Sequence, residues 1–281
     1  MNTLSIRTSD AISLQATLIE HSNPSGVTII HGATGVPYGY YAAFAKWLSE
    51  NKKHHVLYYE YRDSGRLSKK EVKASKVTMA DWGITDQSAV LDYAIETFPD
   101  LPVHTIGHSL GGFCLPFHKN ADKITSHTTV NSGLAYWPTH PWNYMIQVIL
   151  FWFVLGPLAV RILGFLPGML LGMKNNLPPN VYWQWRKWCT NPDLHKIEWG
   201  KELPKPDLDK FTGKLTIFAT KDDKIIPPKR VFILDRFFPK ATIEKHLLDP
   251  KTHGIASAGH IAIFSKKCAV MWPEIIRQND L

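Results

Sequence analysis

Cysteine is scarce. The 281 residues carry three, Cys114, Cys189 and Cys268, an odd number with wide spacing. Such a set gives neither a disulfide framework nor a zinc knuckle. A leader-like start is also lacking. Residues 1–20 alternate polar and apolar side chains, without the basic start and continuous apolar stretch of a signal peptide. Together these absences imply a reducing, cytoplasmic setting. No H-E-x-x-H occurs, and the adjacent His54 and His55 fall on opposite faces of an expected strand, so no metal site emerges. Internal repeats and low-complexity segments are missing as well. The densest basic stretch, Lys69, Lys70, Lys73 and Lys76, has no aromatic side chains between its lysines. That argues against a base-stacking surface, so no nucleic-acid partner is expected, and the stretch reads as a solvated polar loop, with a membrane-surface patch as the sharper alternative.

What is present is ordinary globular composition, 44% apolar and 20% charged. The length suits one catalytic domain carrying an insertion, or two small domains. A formal net charge of +8 favours encounter with anionic surfaces or substrates and says nothing about fold. Residues 3–7 and 12–20 read as a strand hairpin around Thr8-Ser9-Asp10. Strands then alternate with helices: strand 26–30, helix 40–48, strand 55–61, helix 78–98, strand 102–106, helix 110–118, strand 125–130. The alternation stops over residues 134–210, rich in Trp, Pro and Leu. It resumes with strand 215–219, helix 228–238, strand 242–248 and a last helix 261–277. This pattern predicts an α/β fold, a mostly parallel sheet flanked by helices. Residues 1–133 and 211–281 would form the core, and 134–210 an inserted helical cap.

Gly107-His108-Ser109-Leu110-Gly111 matches G-x-S-x-G. An apolar strand precedes it and a helical run follows, the strand–turn–helix setting that exposes a serine hydroxyl on a tight turn. A neutral hydroxyl needs a base held by a third group. In folds of this kind the partners follow in the order serine, acid, histidine. Asp222 and Asp223 come directly after one late strand, and His253 and His260 after the next. Asp223 is preferred, because Lys224-Ile225-Ile226-Pro227 closes its loop into a helix; Asp222 reads as a turn residue. His260 is preferred, because it follows Gly259 and precedes an amphipathic run; His253 falls in mid-loop. The alternatives stay open at this stage. Acyl transfer also needs backbone N–H donors for the developing oxyanion. Leu110 and Ala33, in His31-Gly32-Ala33-Thr34-Gly35, are the expected donors. No cofactor and no metal enters this reading.

These segments resemble the α/β-hydrolase superfamily over nearly the whole chain, and within it the predicted hydrolases similar to serine aminopeptidases and lysophospholipases. The carrying residues are Ala33-Thr34-Gly35-Val36-Pro37, Asp81-Trp82-Gly83, Gly107 to Gly112, the stretches Gly164-Phe165-Leu166-Pro167-Gly168 and Trp185-Arg186-Lys187-Trp188-Cys189, and Gly259-His260. The resemblance implies Ser109, Asp223 and His260 as a triad with Ala33 and Leu110 as oxyanion donors. One departure is Asp63, in Glu60-Tyr61-Arg62-Asp63-Ser64-Gly65, where such proteins carry glycine. Aspartate tolerates left-handed backbone better than most residues.

Residues 144–160 are strongly apolar, and a second apolar run follows Arg161 to Met173. The first is near the length of a membrane span. Yet Ser109 lies before it and Asp223 and His260 after it, so one crossing would separate them across the bilayer. A hydrophobic cap that shields the serine and binds the apolar part of a small-molecule ester is the preferred expectation. Peripheral membrane contact through residues 144–173 is the second. The expected activity is carboxylic-ester hydrolysis through an acyl-enzyme. An amidase, peptidase or acyltransferase on the same triad, and a silent binding or membrane-surface protein on this fold, are the alternatives.

Overall fold

A computed structural model describes residues 1–65, 67–172 and 175–277. Met173, the end of the second apolar run, lies outside them. Eight strands form one sheet: β1 Asn2–Arg7, β2 Ser13–Ile19, β3 Gly26–His31, β4 His54–Tyr59, β5 Val103–His108, β6 Ile124–Val130, β7 Lys214–Thr220 and β8 Thr242–Leu248. Their order is β1-β2-β4-β3-β5-β6-β7-β8. Only β2 runs antiparallel to its neighbours β1 and β4; the other pairs are parallel.

The helices are α1 Ala42–Lys52, α2 Lys69–Ala74, α3 Gln87–Thr97, α4 Trp142–Ile149, α5 Gly156–Leu163, α6 Pro179–Cys189, α7 Pro228–Phe232 and α8 Trp272–Arg277. They cover both sheet faces, which is why β3, β4 and β5 are buried at every residue. Alternate side chains go to opposite layers. Val27 and Ile29 pack with Val90, Leu91 and Ala94 of α3, whereas Ile30 and Val56 pack with Phe44 and Leu48 of α1 and with Trp272. The edge strand β8 is half exposed and carries Glu244 and Lys245, charges that blunt an open edge.

Three expected helices are shortened. Residues 110–118 form two 3₁₀ turns, Ser109–Gly112 and Leu115–Phe117, instead of one helix. Gly111-Gly112 is a poor helix former and Pro116 cannot donate. Residues 228–238 give α7 followed by a 3₁₀ turn, Ile233–Phe237. In residues 261–277, Ser265 takes extended backbone with ψ 156°, so only the last part, α8, is α-helical. The lysine stretch departs in the other direction. Lys69, Lys70 and Lys73 belong to α2, begun by a capping box in which Ser68 Oγ accepts from the Glu71 N–H and Glu71 accepts from the Ser68 N–H. The S-x-x-E spacing was the signal for it.

Between β6 and β7 lie α4, α5 and α6. A π-helical segment, Leu150–Leu155, joins α4 to α5, so that Trp142–Leu163 is one helix of 22 residues. Pro157 lacks the N–H that an α-helical ladder would use, and a wider turn before it absorbs the mismatch.

Candidate active site

The carboxyl ends of β3, β5, β6, β7 and β8 converge on one region, where ligands bind in open α/β sheets. Ser109 follows β5 directly and takes φ +52°. Such backbone is strained for a residue with a side chain, and it turns the serine out of the sheet. The flanking glycines allow the turn. A β-carbon on Gly107 would come within 2.4 Å of the Gly111 carbonyl oxygen, and one on Gly111 within 2.1 Å of the His31 carbonyl oxygen.

The structure brings Ser109, Asp223 and His260 together. Ser109 Oγ lies 3.0 Å from His260 Nε2, and His260 Nδ1 lies 2.7 Å from Asp223 Oδ2. Asp223 Oδ1 accepts from the N–H groups of Ile225 and Ile226 at 2.8 and 3.0 Å. The carboxylate is therefore fixed by its own loop and buried with the imidazole. Since Asp223 only accepts, Nδ1 carries the proton and Nε2 is left free to take the serine proton.

Asp222 does not reach this group. It clasps the loop that delivers His260, accepting from Ser257 Oγ and from the N–H groups of Ala258 and Gly259 at 2.6, 3.1 and 3.0 Å. His253 sits in a 3₁₀ turn, Pro250–His253, and does not line the cavity that Ser109 and His260 line. Leu110 is the second residue of the 3₁₀ turn that starts at Ser109, where N–H groups have no partner within the turn.

Ala33 lines the cavity, but its N–H donates to the buried Tyr41 hydroxyl at 2.8 Å. That hydroxyl donates in turn to His108 Nδ1 at 2.8 Å, and His108 Nε2 meets the His260 carbonyl oxygen at 2.9 Å. A carbonyl only accepts, so Nε2–H carries the His108 proton. Burial, reinforced by His260, pushes His108 down to about 3 and keeps it neutral. Asn131, at φ +50° after β6, donates to the same His260 carbonyl at 3.0 Å and to that of Gly259 at 3.1 Å, while accepting from the Thr220 N–H at 2.7 Å. Neither Asn131 nor the Tyr41–His108 pair was singled out from sequence. The available signal for Asn131 was only its place at the carboxyl end of a strand.

Asp63, the residue that replaces glycine, takes φ +51°, and its carboxylate accepts from Ser75 Oγ at 2.6 Å. Arg62 beside it bonds Asp86 through both its N–H and its Nε, at 3.0 and 2.6 Å.

Above Ser109 lies a cavity of about 310 Å³ whose walls include Met79, Phe113, Val148, Phe151, Trp152 and Ile226. Most of this lining is apolar, and part of it comes from α4 and the π-helical segment.

Solved structures with the same fold include an esterase of Pyrococcus furiosus, 12% identical, with a TM-score of 0.59 over 98% of this chain and 87% of that one. Mouse alpha/beta hydrolase domain-containing protein 10 is 14% identical, with a TM-score of 0.57 over 98% and 97%. A thermophilic esterase from Thermogutta terrifontis is 13% identical, with a TM-score of 0.54 over 95% and 94%. No curated protein matches the chain in sequence. The alpha/beta hydrolase family matches residues 29–269, most of the chain. With its eight-stranded sheet, the chain belongs to the alpha/beta hydrolase family.

Proposed function

We propose that this protein is a serine hydrolase that cleaves carboxylic esters of small or medium apolar acyl groups through an acyl-enzyme. One observation carries the reading: Asp223 Oδ2, the His260 ring and Ser109 Oγ form an unbroken line at 2.7 and 3.0 Å beneath an apolar cavity. As Ser109 Oγ attacks the carbonyl carbon, His260 Nε2 takes its proton. Asp223 holds the Nδ1–H and so the ring orientation. The oxyanion accepts from the Leu110 N–H. Ala33 is the second donor in this proposal, and to serve it must exchange the Tyr41 oxygen for the substrate oxygen. Collapse expels the alcohol, which takes the proton from His260. Water then attacks the acyl carbon and gives a proton to Nε2. The acid leaves as Ser109 Oγ regains that proton.

The residues between β6 and β7 act here as a cap. Its apolar walls exclude water and receive the acyl group. A volume of about 310 Å³ is at the lower end for a ligand site, which favours short and medium acyl chains over long ones.

A fluorophosphonate probe tests the nucleophile. It should label the wild-type protein at Ser109 and leave Ser109→Ala unlabelled, with ester turnover reduced at least about 10³-fold. Labelling that persists in Ser109→Ala sinks the proposal. A series of p-nitrophenyl esters tests the cavity, and rates should peak at an intermediate acyl length; a response independent of length contradicts the acyl-pocket reading.

A further inference from the structure

We propose that the outer face of the Trp142–Leu163 helix docks on an anionic membrane surface, lying in the interface and not crossing it. The helix is long and apolar enough to span, yet its inner side is packed along its length, with Val148, Trp152, Gly156 and Val160 buried. Gly156 sits so close to α6 that a β-carbon there would come within 2.3 Å of the Tyr182 hydroxyl. The helix therefore lies flat on the protein.

Its other side is exposed and apolar. Trp142 is 88% exposed, Ile146 70%, Leu158 53% and Ile162 68%, and Met169 in the following turn reaches 82%. Soluble proteins rarely leave such a stripe uncovered unless it meets a partner. The positions 142, 146, 149 and 153 repeat at helical spacing, and the exposed side continues through Leu158 and Ile162 past the π-helical segment.

Charge next to the stripe selects the occupant. Lys69, Lys70, Lys73 and Lys76 are all exposed, and none forms an ion pair among the described residues. The aliphatic part of Lys73 packs on Gly164, which ends the apolar helix; a β-carbon there would come within 2.7 Å of it. The Lys76 carbonyl accepts from Asn180 Nδ2 of α6 at 3.0 Å, and Arg161 is exposed in the last turn of α5. Against these five cations stand Glu71, held in its capping box, Asp63, bonded by Ser75, and the half-buried Asp81, bonded by Thr78. An apolar ridge bordered by cations matches a lipid interface with anionic headgroups. Docked this way, the cavity walls formed by Val148 and Phe151 back onto the bilayer, so the esters within reach are those dissolved in lipid. That last step rests on the proposed function; the docking does not.

Binding is measured on the Ser109→Ala protein, so that it stands apart from catalysis. The probe is co-sedimentation with vesicles of phosphatidylcholine alone or with about 30% phosphatidylglycerol. About tenfold stronger binding to the anionic vesicles is expected, weakened by salt near 0.5 M. Trp142→Glu with Ile146→Glu should abolish binding, and Lys69→Glu with Lys73→Glu should remove the preference for anionic lipid. Both pairs should keep the parent melting temperature and, in the Ser109 background, fluorophosphonate labelling. The proposal is overturned by absence of binding to either vesicle, by binding that neither pair weakens, or by a dimer in light scattering that the Trp142/Ile146 pair converts to monomer, which would assign the stripe to a second copy of the chain.

Discussion

Asn131 and His108 both donate to the carbonyl of His260, at 3.0 and 2.9 Å, so the histidine is held by its backbone as well as by its ring. Under the proposed mechanism Asn131 is a positioning residue. Asn131→Ala should lower kcat about tenfold and leave KM within about twofold, because the base is displaced while the cavity is untouched. Steady-state kinetics beside a melting curve checks this; a rise in KM with kcat unchanged would contradict it. The Tyr41 hydroxyl serves two buried partners, accepting from Ala33 and donating to His108. Tyr41→Phe orphans both, and each unsatisfied buried group costs about 1–3 kcal/mol. Urea unfolding should show a loss of that order, and a neutral result would mean that the Ala33–Tyr41–His108 relay is not maintained.

At the scale of elements, the turn after β5 depends on close backbone approach. Gly111→Ala would push a β-carbon to 2.1 Å from the His31 carbonyl oxygen, where neither the turn nor β3 can yield. A destabilisation of about 3 kcal/mol is expected, as for overpacked cores. Gly39, in the 3₁₀ turn Tyr38–Tyr41, has nothing within 4 Å of its would-be β-carbon. Gly39→Ala should therefore stay within about 0.5 kcal/mol of the parent. Equal effects at the two sites, by thermal or urea unfolding, would contradict the steric account. Asp222 shows how an element is delivered to a site: its carboxylate ties the loop after β7 to the loop after β8, so the acid and the imidazole arrive together.

Over the whole molecule, the unusual feature is buried imidazole. Burial lowers His104 and His108 to about 3, and His54, His118, His127 and His195 to about 4. Neighbouring cations or imidazoles add to this at His104, His108, His54, His127 and His195. In the unfolded chain these rings take protons below their ordinary value of 6.5. Between that value and the depressed ones the unfolded state binds more protons, so acid favours unfolding. Each fully shifted ring adds up to about 1.4 kcal/mol per pH unit to the slope. Melting temperature should be flat above pH 7 and fall steeply from pH 6.5 to 4.5. A protein equally stable at pH 7 and pH 4.5 would contradict the neutral burial of these rings.

Local chemistry made much of this legible. Short, largely apolar runs mark β3 and β7 because central parallel strands are covered on both faces, and G-x-S-x-G marks the turn because only glycine fits beside it. Short segments misled where a single residue breaks a helix, as at Pro116 and Ser265, since periodicity registers apolar spacing and not backbone donors. The choice between Asp222 and Asp223, or His253 and His260, could be weighed in sequence but needed the fold, because residues 37 apart meet only through the sheet's register. The engagement of Ala33 by Tyr41, the grip of Asn131 on His260 and the outward face of the Trp142–Leu163 helix lay beyond any local pattern. Sequence by itself determined where the candidate serine, acids and histidines lie along the chain and which strands they follow. Tertiary structure decided which donors are free and which apolar surface stays uncovered, because hydrogen bonds and burial depend on neighbours that the chain brings in from far away.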